Sequence, residues 1–245
     1  MSDTQIVNAG ADAGRIALIL VAKEAVAGRV KTRLTPQLSA QNAAQVYRVF
    51  LKHVRRVCEQ TANRDQHLQL VLLFDPPHSI ESWHAWSRWL KVAQSAGDLG
   101  DRLRQGQNTL AETHAGGCLF LGADAPELTT DQLLWAAREV RRGYCIMIPS
   151  NDGGYVVIGM PTGGPALFDG ITWSTAMVAA QTREAATRQG AEMKELPPVA
   201  DIDHPDDLAN LLARLQKSSS SADITLRREL MHAIRPTGAS ALSEQ

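Results

Sequence analysis

A basic loop follows the first strongly apolar run of this 245-residue chain. Six consecutive apolar residues, 17–22, are typical of a strand that is buried on both faces. The loop after them contains Gly28, Lys31 and Arg33. Lys31 supplies a point charge and Arg33 a planar fork, which both suit phosphate oxygens, and Gly28 lets a ligand approach the backbone closely. The spacing is compatible with a phosphate-binding loop and with a solvated basic loop.

A lone acid, Asp124, follows the apolar run 118–121 in the segment Gly-Ala-Asp-Ala-Pro. Ligands of open parallel sheets bind beyond the carboxyl ends of the strands, so we expect Asp124 in the same crevice as the basic loop. Thr129 and Thr130 are better placed than Asp124 to cap the helix that follows. The sequence therefore favours Asp124 as a ligand of a divalent metal ion over a helix cap.

Two further acids, Asp201 and Asp203, alternate around Ile202 near the end of the domain. In extended backbone both carboxylates project from one side. Two acids on one face repel each other unless a cation joins them. We therefore predict that Asp203 or Asp201 completes the metal site of Asp124.

An Asp-Gly-Gly-Tyr segment, residues 152–155, separates two strand-like runs. This composition is typical of a hairpin turn. The same glycines would let a ligand approach beside Asp152 and Tyr155. A turn and a ligand contact are both open for this segment.

The elements that must position these residues alternate between strands and helices. Ser39 is the expected cap of a long helix. Residues 68–74 are expected to form the second strand, and Val92 is expected to belong to a short strand after it. Asp98 either caps a helix that runs to about His114 or contacts a ligand. This alternation predicts one α/β domain.

Two aromatic segments carry their own predictions. Trp83, Trp86 and Trp89 lie three apart on a predicted helix, where a core or lid stripe is favoured over base stacking. A later helix is expected to reach about residue 189, with Thr172 or Ser174 as its cap.

Composition excludes several classes of protein. A formal net charge of -1 argues against a nucleic-acid binder, and no apolar run approaches the roughly 18 residues that span a bilayer. The three cysteines form no metal-binding or redox pair, so buried free thiols are expected. The amino terminus lacks the basic-then-apolar order of a secretory signal, so a cytoplasmic location is expected. We predict a leader over 1–14, the domain over 15–216, and a Ser-rich linker and tail over 217–245, with a docking helix within 224–234.

Six motifs in order resemble one known family over about residues 16–215. They are Gly-Arg-Val-Lys-Thr-Arg-Leu, Gly-Asp-Leu-Gly-Asp-Arg-Leu, Gly-Ala-Asp-Ala-Pro, Asp-Gly-Gly-Tyr, Trp-Ser-Thr and Asp-Ile-Asp-His-Pro-Asp-Asp-Leu. The set is similar to the bacterial glycosyltransferase-A-superfamily proteins described as radical-SAM/selenodomain-associated transferases.

The resemblance implies a three-layer αβα nucleotide-diphospho-sugar transferase fold with a mostly parallel central sheet. It implies a divalent metal ion held by the Asp124 motif, and it places Lys31 and Arg33 near the phosphates. We expect Mg²⁺ or Mn²⁺ on Asp124, with Asp203 or Asp201 completing the site. The other candidate nucleotide-binding residues are Ala22, Lys23, Gly28, Asp98, Gly100, Arg102, Gly153, Gly154, Tyr155, Trp173, Ser174 and Thr175. The expected partners are a nucleotide or nucleotide-sugar donor and a small-molecule acceptor, with no nucleic acid and no membrane span.

One departure divides the possible reactions. The superfamily's glycosyltransferases usually carry Asp-x-Asp, whereas Gly122 stands here at the first acid position. A single acid resembles the nucleotidyltransferases of the same fold, including guanylyltransferases. The sequence thus predicts a metal-dependent glycosyltransferase, with a nucleotidyltransferase and a non-catalytic nucleotide-binding protein as alternatives. Lys31, Arg33, Asp124 and Asp152 are the candidate catalytic residues, Asp152 for holding or activating the acceptor.

Overall fold

The computed structural model describes residues 14–111 and 116–235. Within them, seven strands form one sheet in the order β3-β2-β1-β4-β6-β5-β7. The strands are β1 (Ile16–Lys23), β2 (Leu68–Asp75), β3 (Leu90–Ala93), β4 (Gly117–Gly122), β5 (Cys145–Pro149), β6 (Tyr155–Met160) and β7 (Met193–Glu195). Only β6 runs antiparallel to its neighbours in this described sheet. The predicted α/β class with a mostly parallel sheet is confirmed.

Helices cover both faces of the sheet. They are α1 (Ala40–Arg64), α2 (Leu99–Ala111), α3 (Thr130–Arg141), α4 (Val178–Arg188), α5 (Pro205–Lys217) and α6 (Ser221–Ala233), with short 3-10 helices at Thr32–Leu34 and Pro77–Trp83. One core lies between the sheet and helices α1 and α3, and a second lies between the opposite face and helices α2 and α4. The domain therefore has three layers.

Strand β1 shows why its sequence is apolar without alternation. Ile16, Leu18 and Leu20 belong to the core under α1 and α3, while Ala17 and Ile19 belong to the core under α2. Because helices cover both faces of β1, neither face contacts solvent and polar residues do not alternate along the strand.

The register of β1 determines where the site forms. Its neighbour on one side is β4, and Val21 pairs with Gly122 in this parallel pair. The two strands therefore end at the same edge of the sheet. The basic loop leaves β1 at this edge, and Asp124 leaves β4 there.

The helices next to the site are capped by side chains other than Asp124 and Asp203. Thr129 and Gln132 form a reciprocal capping box at the start of α3, so Asp124 is not needed there. At the start of α5, Asp207 Oδ2 accepts hydrogen bonds from the backbone N–H of His204 at 2.7 Å and of Asp203 at 3.1 Å. These contacts fix the backbone of Asp203 just before the start of α5.

The helix predicted over the three tryptophans is wrong. A 3-10 helix ends at Trp83, and single turns follow, in which Trp86 N donates to Trp83 O and Trp89 N donates to Trp86 O. Three-residue turns keep the rings on one side, just as a helix would. All three rings are buried, and successive rings pack edge to face at 5.5 and 5.0 Å between centroids. The predicted core stripe is confirmed.

The start predicted for α4 is also wrong. The helix begins at Val178 after Met177, and neither Thr172 nor Ser174 caps it. Ser174 has φ 62°, a left-handed conformation that interrupts a helical path, and Thr175 Oγ1 donates to Thr172 O in a turn. The predicted Thr172 and Ser174 caps are thus part of a loop.

The segment after α5 forms the predicted docking helix. In α6, Leu226 and Leu230 are buried in a third core with Phe50, Ile202 and Leu208. The three cysteines are free and buried, as expected. Residues 1–13 of the predicted leader, residues 236–245 of the tail and His114 lie outside the described residues. No helix in the described ranges is both long and apolar enough to cross a membrane.

Candidate functional site

The ammonium group of Lys31 lies between two acids. Lys31 Nζ donates to Asp203 Oδ1 at 2.8 Å and to the backbone oxygen of Ile202 at 2.6 Å, and it lies 2.6 Å from Asp124 Oδ1. Its side chain is only 4% exposed. The basic loop and the lone acid therefore meet at one edge of the sheet, as predicted. Lys31 nevertheless points at the acids and not into open space.

The loop conformation directs Lys31 inwards. Lys31 has φ 49° and ψ 38°, and residues of this kind in the left-handed region carry a cost of about 1–3 kcal/mol. Directly after it, the 3-10 helix anchors the loop through Leu34, which is fully buried. Earlier in the loop, Gly28 turns the chain at φ 78° with open space where a side chain would be.

Charge decides the protonation of Lys31. Burial alone would lower the pKa of its ammonium, but Asp124 and Asp203 raise it by more, so the net pKa is raised. Burial likewise would raise the pKa of the Asp203 carboxyl, yet Lys31 and Arg33 lower it overall. Lys31 and Asp203 therefore form a charged pair.

Asp124 has one buried oxygen that is poorly satisfied. Asp124 Oδ1 is buried and accepts no hydrogen bond of regular geometry from the described residues, although the Lys31 ammonium lies beside it. The Asp124 side chain as a whole is 43% exposed. The backbone oxygen of Asp124 accepts a hydrogen bond from Ile202 N at 2.9 Å. The carboxylate is thus fixed in place with unused capacity to bind a cation.

A cleft of about 580 Å³ opens over this cluster. Its cationic lining residues are Lys23, Arg29, Lys31, Arg33 and Arg102, and its acidic ones are Asp124 and Asp203. Cations therefore outnumber acids in the lining of the cleft. Ala22, one of the predicted nucleotide-binding residues, lines the cleft too.

Two arginines present part of their guanidinium groups to the cleft. Arg33 Nη1 donates to Asp203 Oδ2 at 2.8 Å, and its side chain is 60% exposed. Arg102 Nε donates to Gly97 O at 3.1 Å, and its Nη1 donates to Gln94 Oε1 at 3.3 Å. The remaining N–H groups of Arg33 are available to an anion.

Sequence reasoning missed Tyr47 and Gln94, which both line the cleft. Tyr47 Oη accepts from Lys23 N at 3.0 Å, and burial, followed by the nearby Asp124, raises the pKa of its hydroxyl. Gln94 Nε2 donates to Ala22 O and Leu73 O across the strand ends. Tyr47 falls at an apolar position of α1 and gave no signal. Gln94, a polar residue directly after a short strand, could have been found.

The second glycine motif builds structure more than a ligand contact. Asp98 Oδ1 accepts from Asp101 N and Asp101 Oδ2 accepts from Asp98 N, so these two acids form a reciprocal cap. A Cβ on Gly100 would lie 2.5 Å from Nε1 of Trp173. Gly100 thus makes room for the indole, and Asp98 takes the capping alternative.

The Asp-Gly-Gly segment forms the hairpin turn between β5 and β6. Asp152 Oδ1 accepts from Gly154 N at 2.9 Å and from the Ser150 hydroxyl. Gly153 has φ 91°, and a Cβ there would collide with the backbone oxygen of Ala176. The close approach that the glycines allow is therefore made by the chain itself.

These motifs leave only part of the predicted set at the cleft. Tyr155 lines it. Ten of the predicted site residues do not line the cleft: Gly28, Asp98, Gly100, Asp152, Gly153, Gly154, Trp173, Ser174, Thr175 and Asp201.

The structure does not assemble the predicted set of three acidic ligands. Burial and then Asp152 raise the pKa of Asp201 to about 6, so the leading charge interaction of Asp201 is with Asp152. Across residues 14–111 and 116–235, no three His, Cys, Asp or Glu side chains are grouped so as to hold a metal ion. Asp124 and Asp203 remain as a pair.

That pair suits a magnesium or manganese ion that is bound together with phosphates. Mg²⁺ is usually held by one or two carboxylates plus substrate phosphate oxygens and water, without an all-protein cage. Asp124 and Asp203 supply two carboxylates at the positively charged cleft, and Asp124 Oδ1 is buried without a regular hydrogen bond. The residues present therefore fit the ion.

Comparison with known proteins agrees with this architecture. Residues 57–175 match the family DUF2064, described as an uncharacterized protein conserved in bacteria. A candidate nucleotide-diphospho-sugar transferase from Desulfovibrio desulfuricans G20 superposes with a TM-score of 0.78 at 28% identity, over 90% of this chain and 96% of that one. The fold is that of the nucleotide-diphospho-sugar transferases. No curated protein is detectably similar in sequence.

More distant neighbours share the fold alone. The 4-diphosphocytidyl-2C-methyl-D-erythritol synthase from Anaerococcus prevotii DSM 20548 has a TM-score of 0.51 at 11% identity, over 84% of this chain and all of that one. The CMP:2-keto-3-deoxy-manno-octonic acid synthetase complexed with CTP has a TM-score of 0.50 at 10% identity, over 83% of this chain and 99% of that one. The radical-SAM/selenodomain association stays a prediction.

Proposed function

We propose that this protein is a transferase that takes a glycosyl group from a nucleotide-diphospho-sugar and passes it to a small acceptor. The observation that carries the proposal is the meeting of Lys31, Arg33, Asp124 and Asp203 at one cleft over the carboxyl ends of β1 and β4. The similarity to the candidate nucleotide-diphospho-sugar transferase supports it, since that likeness covers 90% of the chain.

The charge and size of the cleft suit a nucleoside diphosphate group. Five cations and two acids line a space of about 580 Å³, and small-molecule sites commonly measure about 300–1,000 Å³. A diphosphate is attracted by the excess of positive charge. Arg33 keeps guanidinium N–H groups exposed for phosphate oxygens, and its link to Asp203 holds the fork in position.

The chain's own residues would bind the donor and stabilise the leaving group. A Mg²⁺ or Mn²⁺ ion held by Asp124 and Asp203 would supply positive charge against the charge that develops on the departing diphosphate. Arg33 would add a preorganised donor to the same oxygens, and such a donor typically changes the rate by about 10²-fold or more.

The role of Asp152 in holding or activating the acceptor stays a proposal. Its carboxylate bonds within the turn, and burial followed by the charge of Asp152 raises the pKa of Asp201 to about 6. Asp152→Asn would then lower kcat for acceptor transfer more than it weakens donor binding.

Nucleotidyl transfer is the second candidate, and the single acid after β4 favours it. Gly122 stands where the usual glycosyltransferase pattern has an acid, and the distant neighbours of the same fold include CTP-dependent synthetases by name. Product analysis separates the two reactions. Glycosyl transfer releases a nucleoside diphosphate from a sugar nucleotide, and nucleotidyl transfer releases pyrophosphate from a nucleoside triphosphate.

The experiment uses a panel of sugar nucleotides and nucleoside triphosphates with Mg²⁺ or Mn²⁺. Binding is measured first by thermal shift, because a ligand that binds only the native state raises its apparent stability. Products of the binding donors are then identified, with Asp124→Asn as the inactive control. Tight binding of a nucleotide without turnover of any donor would support the third alternative, a non-catalytic nucleotide-binding protein.

A further inference from the structure

The ammonium of Lys31 is engaged within the protein by two hydrogen bonds and one further ion pair. An ammonium has three N–H donors, and Lys31 Nζ has three close oxygen neighbours, on Ile202, Asp203 and Asp124. The Phe50 ring lies 5.9 Å away and covers another side. In this arrangement the side chain is only 4% exposed, so the ammonium has little surface to offer a phosphate. The phosphate contact predicted for it therefore requires a second position of the side chain.

The two carboxylates converge on the point that the ammonium occupies. Asp124 Oδ1 and Asp203 Oδ1 lie 2.6 and 2.8 Å from the same nitrogen. Two cations cannot share this point, because like charges a few ångströms apart repel strongly in a partly buried site. We propose that Lys31 is the resident counter-ion of the carboxylate pair and competes with a divalent cation for it. The inference rests on the proposed function, because the donor's diphosphate would be the next partner of the displaced ammonium.

Several features of the loop would allow the displacement. The left-handed backbone conformation of Lys31 is strained. The ionic contacts of its side chain with Asp124 and Asp203 stabilise the present position. Its four-carbon stem is flexible. The contact with Asp124 Oδ1 lacks regular hydrogen-bond geometry, and the cleft opens beside it. The free protein would therefore bind a divalent cation weakly, and the cation would enter together with the phosphates that attract Lys31.

Manganese binding without any nucleotide tests the competition directly. We expect Lys31→Met to bind Mn²⁺ about tenfold or more tightly than the wild type, because the two carboxylates lose their internal counter-ion. Arg29→Met is the matched control, since Arg29 lines the cleft and the ion pairs of Asp124 and Asp203 among the described residues are with Lys31 and Arg33. Free Mn²⁺ is measured by electron paramagnetic resonance. Equal affinity of Lys31→Met and the wild type, or an equal gain in Arg29→Met, would overturn the proposal.

A melting curve checks that the variants are folded and gives a second measurement. Mn²⁺ should raise the melting temperature of Lys31→Met by more than that of the wild type, because the ion replaces the lost ammonium. If Lys31→Met does not fold, Lys31→Gln keeps a hydrogen-bonding group at the position and takes its place in both measurements.

Chemical labelling tests the unaltered protein. Lysine acetylation followed by peptide mass spectrometry should find Lys31 protected in the free protein, since its side chain is 4% exposed. Millimolar Mn²⁺ should increase acetylation at Lys31 and leave the exposed Lys52 unchanged. Saturable Mn²⁺ binding with unchanged protection of Lys31 would contradict displacement.

The outcomes distinguish this inference from the proposed function. Tighter Mn²⁺ binding by Lys31→Met without turnover of any donor supports the competition and overturns the transferase. Donor turnover by the wild type with equal Mn²⁺ affinity in the two proteins supports the transferase and overturns the competition.

Discussion

Two buried ions of this protein have equal exposure and opposite surroundings. The side chains of Lys31 and Glu139 are both 4% exposed. Lys31 lies between two carboxylates in the loop after β1, whereas Glu139 is surrounded by cations from α3, from the residue directly after α3 and from β7. The partners of Glu139 are Arg138 at 3.2 Å, Arg142 at 3.1 Å and Lys194 at 2.8 Å.

The network of Glu139 is complete. Lys194 binds it and also lies 3.4 Å from the centroid of the Tyr144 ring, so both ends of this contact are packed. The hydrogen bond from Lys194, followed by those from Arg138 and Arg142, lowers the pKa of Glu139 to about 2 against the cost of burial. Glu139 does not line the cleft. We interpret it as a structural ion.

The network of Lys31 is incomplete by comparison. Its acids are partly exposed, one oxygen of Asp124 lacks a regular hydrogen bond, and a cleft rich in cations lies over it. A buried charge alone therefore does not mark a ligand site. Unused bonding capacity next to a cavity is the feature that separates the two networks.

The largest expected effect separates the two networks by activity. Asp124→Asn should lower kcat/KM of the donor reaction by about 10²-fold or more, because it removes a charged ligand from the transition-state site. Glu139→Gln should leave kcat/KM near the wild-type value. Initial rates with the donor identified by product analysis give the comparison. Near-normal turnover by Asp124→Asn would show that the cleft network is structural as well.

Arg33 should have a smaller effect, on donor binding. Arg33→Met removes a partly free guanidinium from the cleft, so the Kd of the donor should rise about tenfold, as for the loss of one charged hydrogen bond. The matched control is Arg64→Met, whose exposed partner Asp131 lies on α3. Calorimetric titration measures both. An equal loss in the two variants would indicate general electrostatics and no specific contact.

The completeness of the Glu139 network predicts an effect on acid stability. A carboxyl whose folded pKa is lowered from 4.5 to about 2 stabilises the native state above pH about 4.5, and this contribution is lost as the pH falls towards 2. Glu139→Gln should therefore be less stable than the wild type at pH 6, with the difference shrinking between pH 4.5 and 2. Melting temperatures over this range measure it, with the exposed Glu184→Gln as control. A pH-independent difference would mean that packing, not charge, explains the loss.

Asp201 should show the smallest effect and the opposite sign. Its pKa is raised from 3.8 to about 6, so ionisation of Asp201 costs the native state stability as the pH rises through this range. Asp201→Asn should gain stability relative to the wild type between pH 4 and 6 and keep that gain at pH 7. The exposed Asp131→Asn is the control in the same melting experiment. A constant difference across this range would show that Asp152 and burial do not perturb Asp201.

The sequence by itself determined the main features of the fold. The unbroken apolar run of β1 required cover on both faces, and Ser39 and Thr129 capped their helices as local chemistry predicts. It also brought Lys31 and Asp124 to one edge, because parallel strands all end on the same side of a sheet. These conclusions depend on neighbours in sequence or on a general rule of topology.

Local patterns were insufficient where two structures share one spacing. A period of three fits a helix and a series of three-residue turns equally, so the tryptophans were placed on a helix that does not form. Gly100 and Gly153 were predicted as positions where a ligand could approach the backbone closely. Their space is taken by Trp173 and by the backbone of Ala176, which are distant in sequence.

Only the tertiary structure decided what Lys31 binds. The sequence gives its charge and its loop, but a flexible side chain takes the partners that folding brings within reach. Those partners, Ile202 and Asp203, lie more than 170 residues further along the chain, and Asp124 comes from another strand end. Lys31, which the sequence predicts as a phosphate contact, is thus the counter-ion of Asp124 and Asp203. The reason is that leaving buried charges unpaired costs more free energy than the backbone strain at Lys31.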